Sequence, residues 1–140
     1  MITVIAYFLV FLTVGWGSGL IMLPFMPVLI ALHKKKLGRT MSQIANGTAM
    51  YLSIILADYI CGLFDVETSY AMFVLPFIAM IQNDLQRVYI AQAVVKNNQT
   101  GPQEDQDKCF YVLQMNKDYF FTDIIAFIIA LAALSPLKLV

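Results

Sequence analysis

Charge is spread through this chain in a way that limits what it can fold into. Residues 1–33 carry none, with His33 neutral, and residues 40–57, 68–83 and 124–137 carry none either. A helix needs about 20 largely apolar residues to cross a bilayer at about 1.5 Å each. Four uncharged runs therefore imply an all-α polytopic membrane protein with four transmembrane helices, with three and five as the bounds. Composition agrees: 60% of residues are apolar, 13% are charged and the mean hydropathy is +0.74. Soluble domains carry about 25% charge, so this chain has too little to clothe a soluble globule. The formal net charge is zero, which gives no global field to attract nucleic acid.

The 140 residues form one transmembrane domain. The first segment, about 3–32, is longer than a bilayer core requires. Gly15, Trp16, Gly17, Ser18 and Gly19 together with Pro24 and Pro27 offer places to break it. A kinked single span is favoured over a re-entrant hairpin, because open loops are not tolerated in lipid. The first charge is Lys34, so no basic region precedes the apolar stretch and it reads as a retained membrane segment. The second segment covers about 44–64. The third, about 69–95, is apolar to Ile81 and amphipathic from Leu85 to Val95. Residues 96–118 read as a solvated polar loop turning at Gly101-Pro102, and the fourth segment covers about 119–137. Cys61 and Cys109 have no motif spacing and are expected to stay unbridged.

Basic residues collect on the cytoplasmic side of membrane proteins. The stretches 33–43 and 83–118 together hold eight of the nine cations, while the link at 65–68 is acidic. These two basic loops are therefore expected in the cytoplasm and both termini on the opposite side. The sequons at Asn46 and Asn98 then fall on cytoplasmic loops and are read as coincidence.

Asp58 lies within an apolar segment. A carboxylate there costs about 2.5–3.5 kcal/mol on insertion scales and so faces protein or water. It is read as a helix–helix hydrogen bond to Tyr59, Thr68 or another subunit, or else as an ion or proton ligand. Asp84 and Arg87, three apart, share a helix face and suit an ion pair. Gly15 with Gly19, and Ala126 with Ala130, are small-residue pairs that let helices approach closely. Lys34, Lys35, Lys36 and Arg39 form a basic cluster suited to anionic lipid and to fixing topology.

A single histidine excludes paired haem ligation and a histidine metal site. No Ser-His-Asp arrangement, phosphate loop or dinucleotide fingerprint is present. No catalytic residue, metal or cofactor is therefore expected. The first functional expectation is a non-catalytic accessory subunit of a multi-subunit membrane complex, with membrane lipids and other membrane subunits as partners. The alternative is a small homo-oligomeric channel or transporter that uses Asp58 as an intramembrane ion or proton site.

Overall fold

A computed structural model describes residues 1–32 and 35–134. It is helical, with no β-strand among the described residues. Helix α1, Ile2–Met22, passes through a 3-10 turn, Leu23–Phe25, into α2, Met26–Leu32. Helix α3 spans Lys36–Leu63, and a second 3-10 turn, Tyr70–Phe73, leads into α4, Val74–Asn97. Helix α5 spans Gln103–Ala133. Two stretches, Ile2–Leu29 and Lys36–Leu63, are long and apolar enough to cross a membrane. The apolar parts of α4 and α5 are shorter, because charged and amide side chains begin at Gln82 in one and persist to Asp123 in the other.

The first segment bends without reversing. Pro24 sits in the 3-10 turn, where its missing N–H is least costly, and the backbone stays right-handed helical at Leu23 and Met26. The helix ends follow local chemistry. At the C-terminus of α3, Asp65 adopts a left-handed φ of 56°. Val66 N–H donates to Cys61 O at 2.9 Å and Asp65 N–H to Gly62 O at 3.1 Å, which is the Schellman pattern. Before α5, the Gln106 side chain donates to the carbonyls of Gln99 and Gly101 and closes the turn. Glu104 and Asp105 occupy the first turn of α5, where the helix dipole favours acids.

Two expected boundaries are corrected. Helix α3 begins at Lys36, not near residue 44, because Lys36 to Ser42 continue the helical stripe that faces α5. The stretch 96–118 is not a loop. Only residues 98–102 connect α4 to α5, and 103–118 are helical, so a polar composition here marks a solvated helix. The parts of α4 and α5 beyond residues 84 and 118 form a helical hairpin of about 20 Å at 1.5 Å per residue. The expected end of the fourth segment, with Pro136 and Lys138, lies outside the described residues, as do His33 and Lys34.

The long helices alternate in direction, so α3 and α5 run parallel to each other. Helix α1 buries Ala6, Val10 and Val14, one residue per turn, mainly against α3. These meet Met50, Ile54, Ala57 and Cys61 of α3 and Ala126, Phe127 and Ala130 of α5 in one apolar core. Phe127 meets Phe77 and Phe73 edge to face, at centroid distances of 5.0 and 6.3 Å. Such pairs add about 0.5–1.5 kcal/mol beyond area burial.

The expected close-packing pair on α1 is also corrected. A Cβ at Gly15 or Gly19 would meet nothing within 4 Å, whereas one at Gly17 would stand 3.0 Å from Ser53 Cβ. Gly17 is thus the α1 glycine that packs against α3. On α5 the expected residues do pack: a Cβ on Gly47 of α3 would lie 3.8 Å from Ala126 Cβ. Replacing Gly17 by Val should lower the thermal unfolding midpoint of the purified protein by several degrees. Gly15→Ala and Gly19→Ala should leave it unchanged or raise it, since Ala gains about 1 kcal/mol over Gly inside a helix.

Candidate functional site

The buried stripe of α3 changes character along its length. From Met50 to Cys61 it is apolar apart from Ser53, whose hydroxyl donates to Met50 O, but one turn earlier it reads Arg39, Ser42, Asn46. Spacings of three and four place these side chains on one helix face. Helix α5 makes the same change, with Asp118, Tyr119 and Asp123 preceding Ala126, Phe127 and Ala130. Because the two helices are parallel, their polar residues meet in order.

Arg39 donates from Nε and Nη2 to Asp118 Oδ2 and Oδ1, both at 2.6 Å. The Ser42 and Tyr119 hydroxyls are hydrogen-bonded to each other. Asn46 Nδ2 donates to Asp123 Oδ1 at 2.7 Å in a fully buried contact. The Thr122 hydroxyl donates to the carbonyl of Asp118 at 2.8 Å and so stays within its own helix. These contacts form a polar ladder through the α3–α5 interface. The bidentate Arg–carboxylate geometry is the strong, directional kind.

Helix α4 adds a second carboxyl. Asp84 stands beside Asp123 within hydrogen-bonding reach. Asp84 and Asp123 are each only 7% exposed, and Asp84 Oδ2 is buried without a hydrogen-bond partner among the described residues. Arg87, one turn along α4, acts electrostatically on both carboxyls. The expected contact ion pair between Asp84 and Arg87 is therefore replaced by a three-member cluster, with Asp84 turned toward Asp123.

This cluster lines a cavity of about 600 Å³ between α1 on one side and α3, α4 and α5 on the others. The polar part of its wall includes Asn46, Asn83, Asp84, Arg87, Asn116 and Asp123. Opposite them stand Trp16, Gly15 and Gly19 of α1, and Met50 and Met80 line the deep end. The two glycines expected to pack against a helix instead leave this wall open. Asn83, Arg87 and Trp16 are exposed, and Asn83 and Arg87 mark the mouth at the polar end of α4. An unpaired carboxyl oxygen facing such a space can take a cation or a hydrogen-bond donor. Among the described residues no group of three His, Cys, Asp or Glu side chains could hold a metal ion.

The remaining expected residues lie apart from the cavity. Asp58 is half-buried near the far end of α3, where Thr68 Oγ1 donates to its Oδ1 at 2.5 Å. That bond ties the link after α3 back onto the helix. Lys35 and Lys36 are exposed, but Arg39, expected to face lipid, is held by Asp118. Cys61 and Cys109 are both free. Asp118 and Asp123, at the start of the expected fourth segment, do not stand out in the sequence. The signal available was the run Arg39, Ser42, Asn46, Met50, Ser53, a polar-to-small stripe at helical spacing in a segment otherwise apolar.

No family model, curated protein or solved structure matches this chain, so functional argument rests on the geometry. The Arg39–Asp118 pair is intermediate in exposure, 39% and 9% for the two side chains. Its disruption should fall between values for exposed and buried pairs, about 2 kcal/mol. Arg39→Leu alone should lower the unfolding midpoint, because it strands Asp118. The double variant Arg39→Leu, Asp118→Leu should recover most of the loss, as apolar replacements of ion pairs commonly do. Thermal unfolding followed by circular dichroism checks both outcomes.

Proposed function

We propose that this chain is a four-span membrane protein that admits a small solute into the polar cavity of its bundle, as a small carrier or channel does. The observation that carries this reading is the buried Asp84–Asp123 pair facing a 600 Å³ space, with one carboxyl oxygen unsatisfied. Ionisable groups inside membrane bundles are expensive and mark solute or proton pathways. In this reading the solute site is at Asp84 and Asp123, and Asp58 is a structural residue.

Membrane residence is supported by the outer faces of the helices. Ile44, Leu52, Leu56, Tyr59 and Leu63 of α3 are exposed. They cover about 29 Å along the axis at 1.5 Å per residue, matching a hydrocarbon core of about 30 Å. Val74, Leu75 and Ile78 of α4 and Phe121, Ile125, Ile128 and Ile129 of α5 are exposed as well. The shorter apolar parts of α4 and α5 thus contribute to the same belt, and this supports four spans over two. The ladder lies at one end of this belt, beside Ile44 and Phe121, so the cavity opens near one membrane face. That face carries Lys35, Lys36, Arg87, Lys96, Lys108 and Lys117, and the excess of basic residues assigns it to the cytoplasm. The acidic link at 65–68 and the N-terminus then lie on the opposite side.

A second reading, a non-catalytic accessory subunit of a larger membrane complex, is favoured by the α4–α5 hairpin. The hairpin extends beyond the ladder and exposes Tyr89, Ile90, Val94 and Phe110, apolar groups that a partner subunit would cover. The two readings differ in stoichiometry. Extracted in mild detergent, a carrier should migrate alone or as a homo-oligomer, and an accessory subunit should bring other polypeptides in fixed ratio.

Two further outcomes follow from the cavity reading. In intact cells or sealed vesicles, cysteines placed by Lys36→Cys and Asp105→Cys should label from one side and Glu67→Cys from the other. Labelling of all three from one side would overturn the four-span topology. In a background with Cys61→Ala and Cys109→Ala, Asn83→Cys should react with a small water-soluble thiosulfonate in reconstituted vesicles. An inert Asn83→Cys would mean that the cavity is closed to solutes.

A further inference from the structure

We propose that the cavity binds a monovalent organic cation, an ammonium group attached to an apolar body, with the charge held at Asp84 and Asp123. The inference rests on the cavity reading above and specifies its ligand.

The charge of the site selects the class. With both carboxyls ionised, Asp84 and Asp123 outnumber the one nearby guanidinium, Arg87, by one negative charge. Arg39 does not offset it, because both Asp118 oxygens engage its guanidinium. Asn46 satisfies one oxygen of Asp123, and Asp84 Oδ2 has no donor among the described residues. A single positive charge with N–H or polarised C–H donors completes the set, and a dication or an anion does not. A buried acceptor left unpaired is destabilising, so an occupant that satisfies it binds more tightly for doing so.

The walls select the remainder of the ligand. A bare metal ion fills little of 600 Å³ and would need more oxygen ligands than these side chains provide. Apolar side chains complete the cavity wall, among them Phe11, Val14, Met22, Met50 and Met80. Thioethers are polarizable and adapt to irregular apolar shapes. Trp16 also lines the cavity, and an indole face attracts a cation through its ring quadrupole. Gly15 and Gly19, with no side chain to fill the space beside Trp16, keep this part of the cavity open.

Trp16 is also the only tryptophan in the chain, so its fluorescence reports on occupancy. The experiment titrates the full-length protein in nanodiscs with benzyltrimethylammonium while following Trp16 emission. Phenylmethanesulfonate serves as the anionic counterpart and sodium chloride as the inorganic one. Saturable quenching by the ammonium compound alone is expected, weakened at least tenfold in Asp84→Asn and in Asp123→Asn. Asp58→Asn should bind as the unaltered protein does. Comparable binding of the sulfonate, or saturation by sodium with no response to the ammonium compound, would overturn the assignment. So would an absence of any saturable change, the result expected if a proton between the two carboxyls already fills the deficit. Because the comparison of probes uses the unaltered protein, it remains decisive if either Asp→Asn variant fails to fold. Reactive Asn83→Cys combined with no ammonium binding would remove this inference and leave the cavity reading standing. An unreactive Asn83→Cys would remove both.

Discussion

The register between α3 and α5 is held by polar contacts, and the rest of the bundle depends on that register. Arg39 with Asp118, Ser42 with Tyr119 and Asn46 with Asp123 can all form at once in only one alignment of two parallel helices. Sliding either helix by one turn would strand two buried carboxylates and a guanidinium. Apolar packing is less discriminating, because Leu, Ile and Ala tolerate a shift at small cost. The ladder therefore fixes the alignment, and the apolar core from Met50 to Cys61 follows it.

The same ladder explains why the cavity exists. At the apolar end of the bundle, Ala6, Val10, Val14, Phe73 and Phe127 fill the space between α1 and the other helices. At the polar end, α1 presents Gly15, Ser18 and Gly19, which are too small to reach across. Helix α4 contributes Asn83, Asp84 and Arg87 there in place of packing side chains. The result is a space lined in part by polar and ionisable groups, continuous with an apolar core. Low local polarity around the buried carboxyls strengthens whatever interaction they make.

Much of the helical framework was legible in the sequence. The four charge-free runs coincide with the hydrophobic parts of the long helices, and Gly101-Pro102 does mark the turn between α4 and α5. The beginning of α3 and the polar half of α5 were not legible from charge. Lysines, glutamates and glutamines are good helix formers, and charge records solvent contact without excluding a helix. The site was legible only in part. Asp84 and Arg87 stood out through their spacing, but their partner Asp123 lies in another helix. Contacts between residues 77 to 79 positions apart leave no local pattern in one sequence. Asp58 drew notice as a lone acid in an apolar run, yet Thr68, ten residues on, satisfies it locally.

The central claim is that a lipid-facing belt encloses a water-filled cavity with acidic walls. Electron paramagnetic resonance accessibility tests both parts at once in reconstituted bilayers. Nitroxides introduced through Ile78→Cys and Ile125→Cys should relax with oxygen and be shielded from a water-soluble nickel chelate. One introduced through Asn83→Cys should respond to the chelate. Chelate access at Ile78 and Ile125 equal to that at Asn83 would contradict the account, because it would place the belt in water.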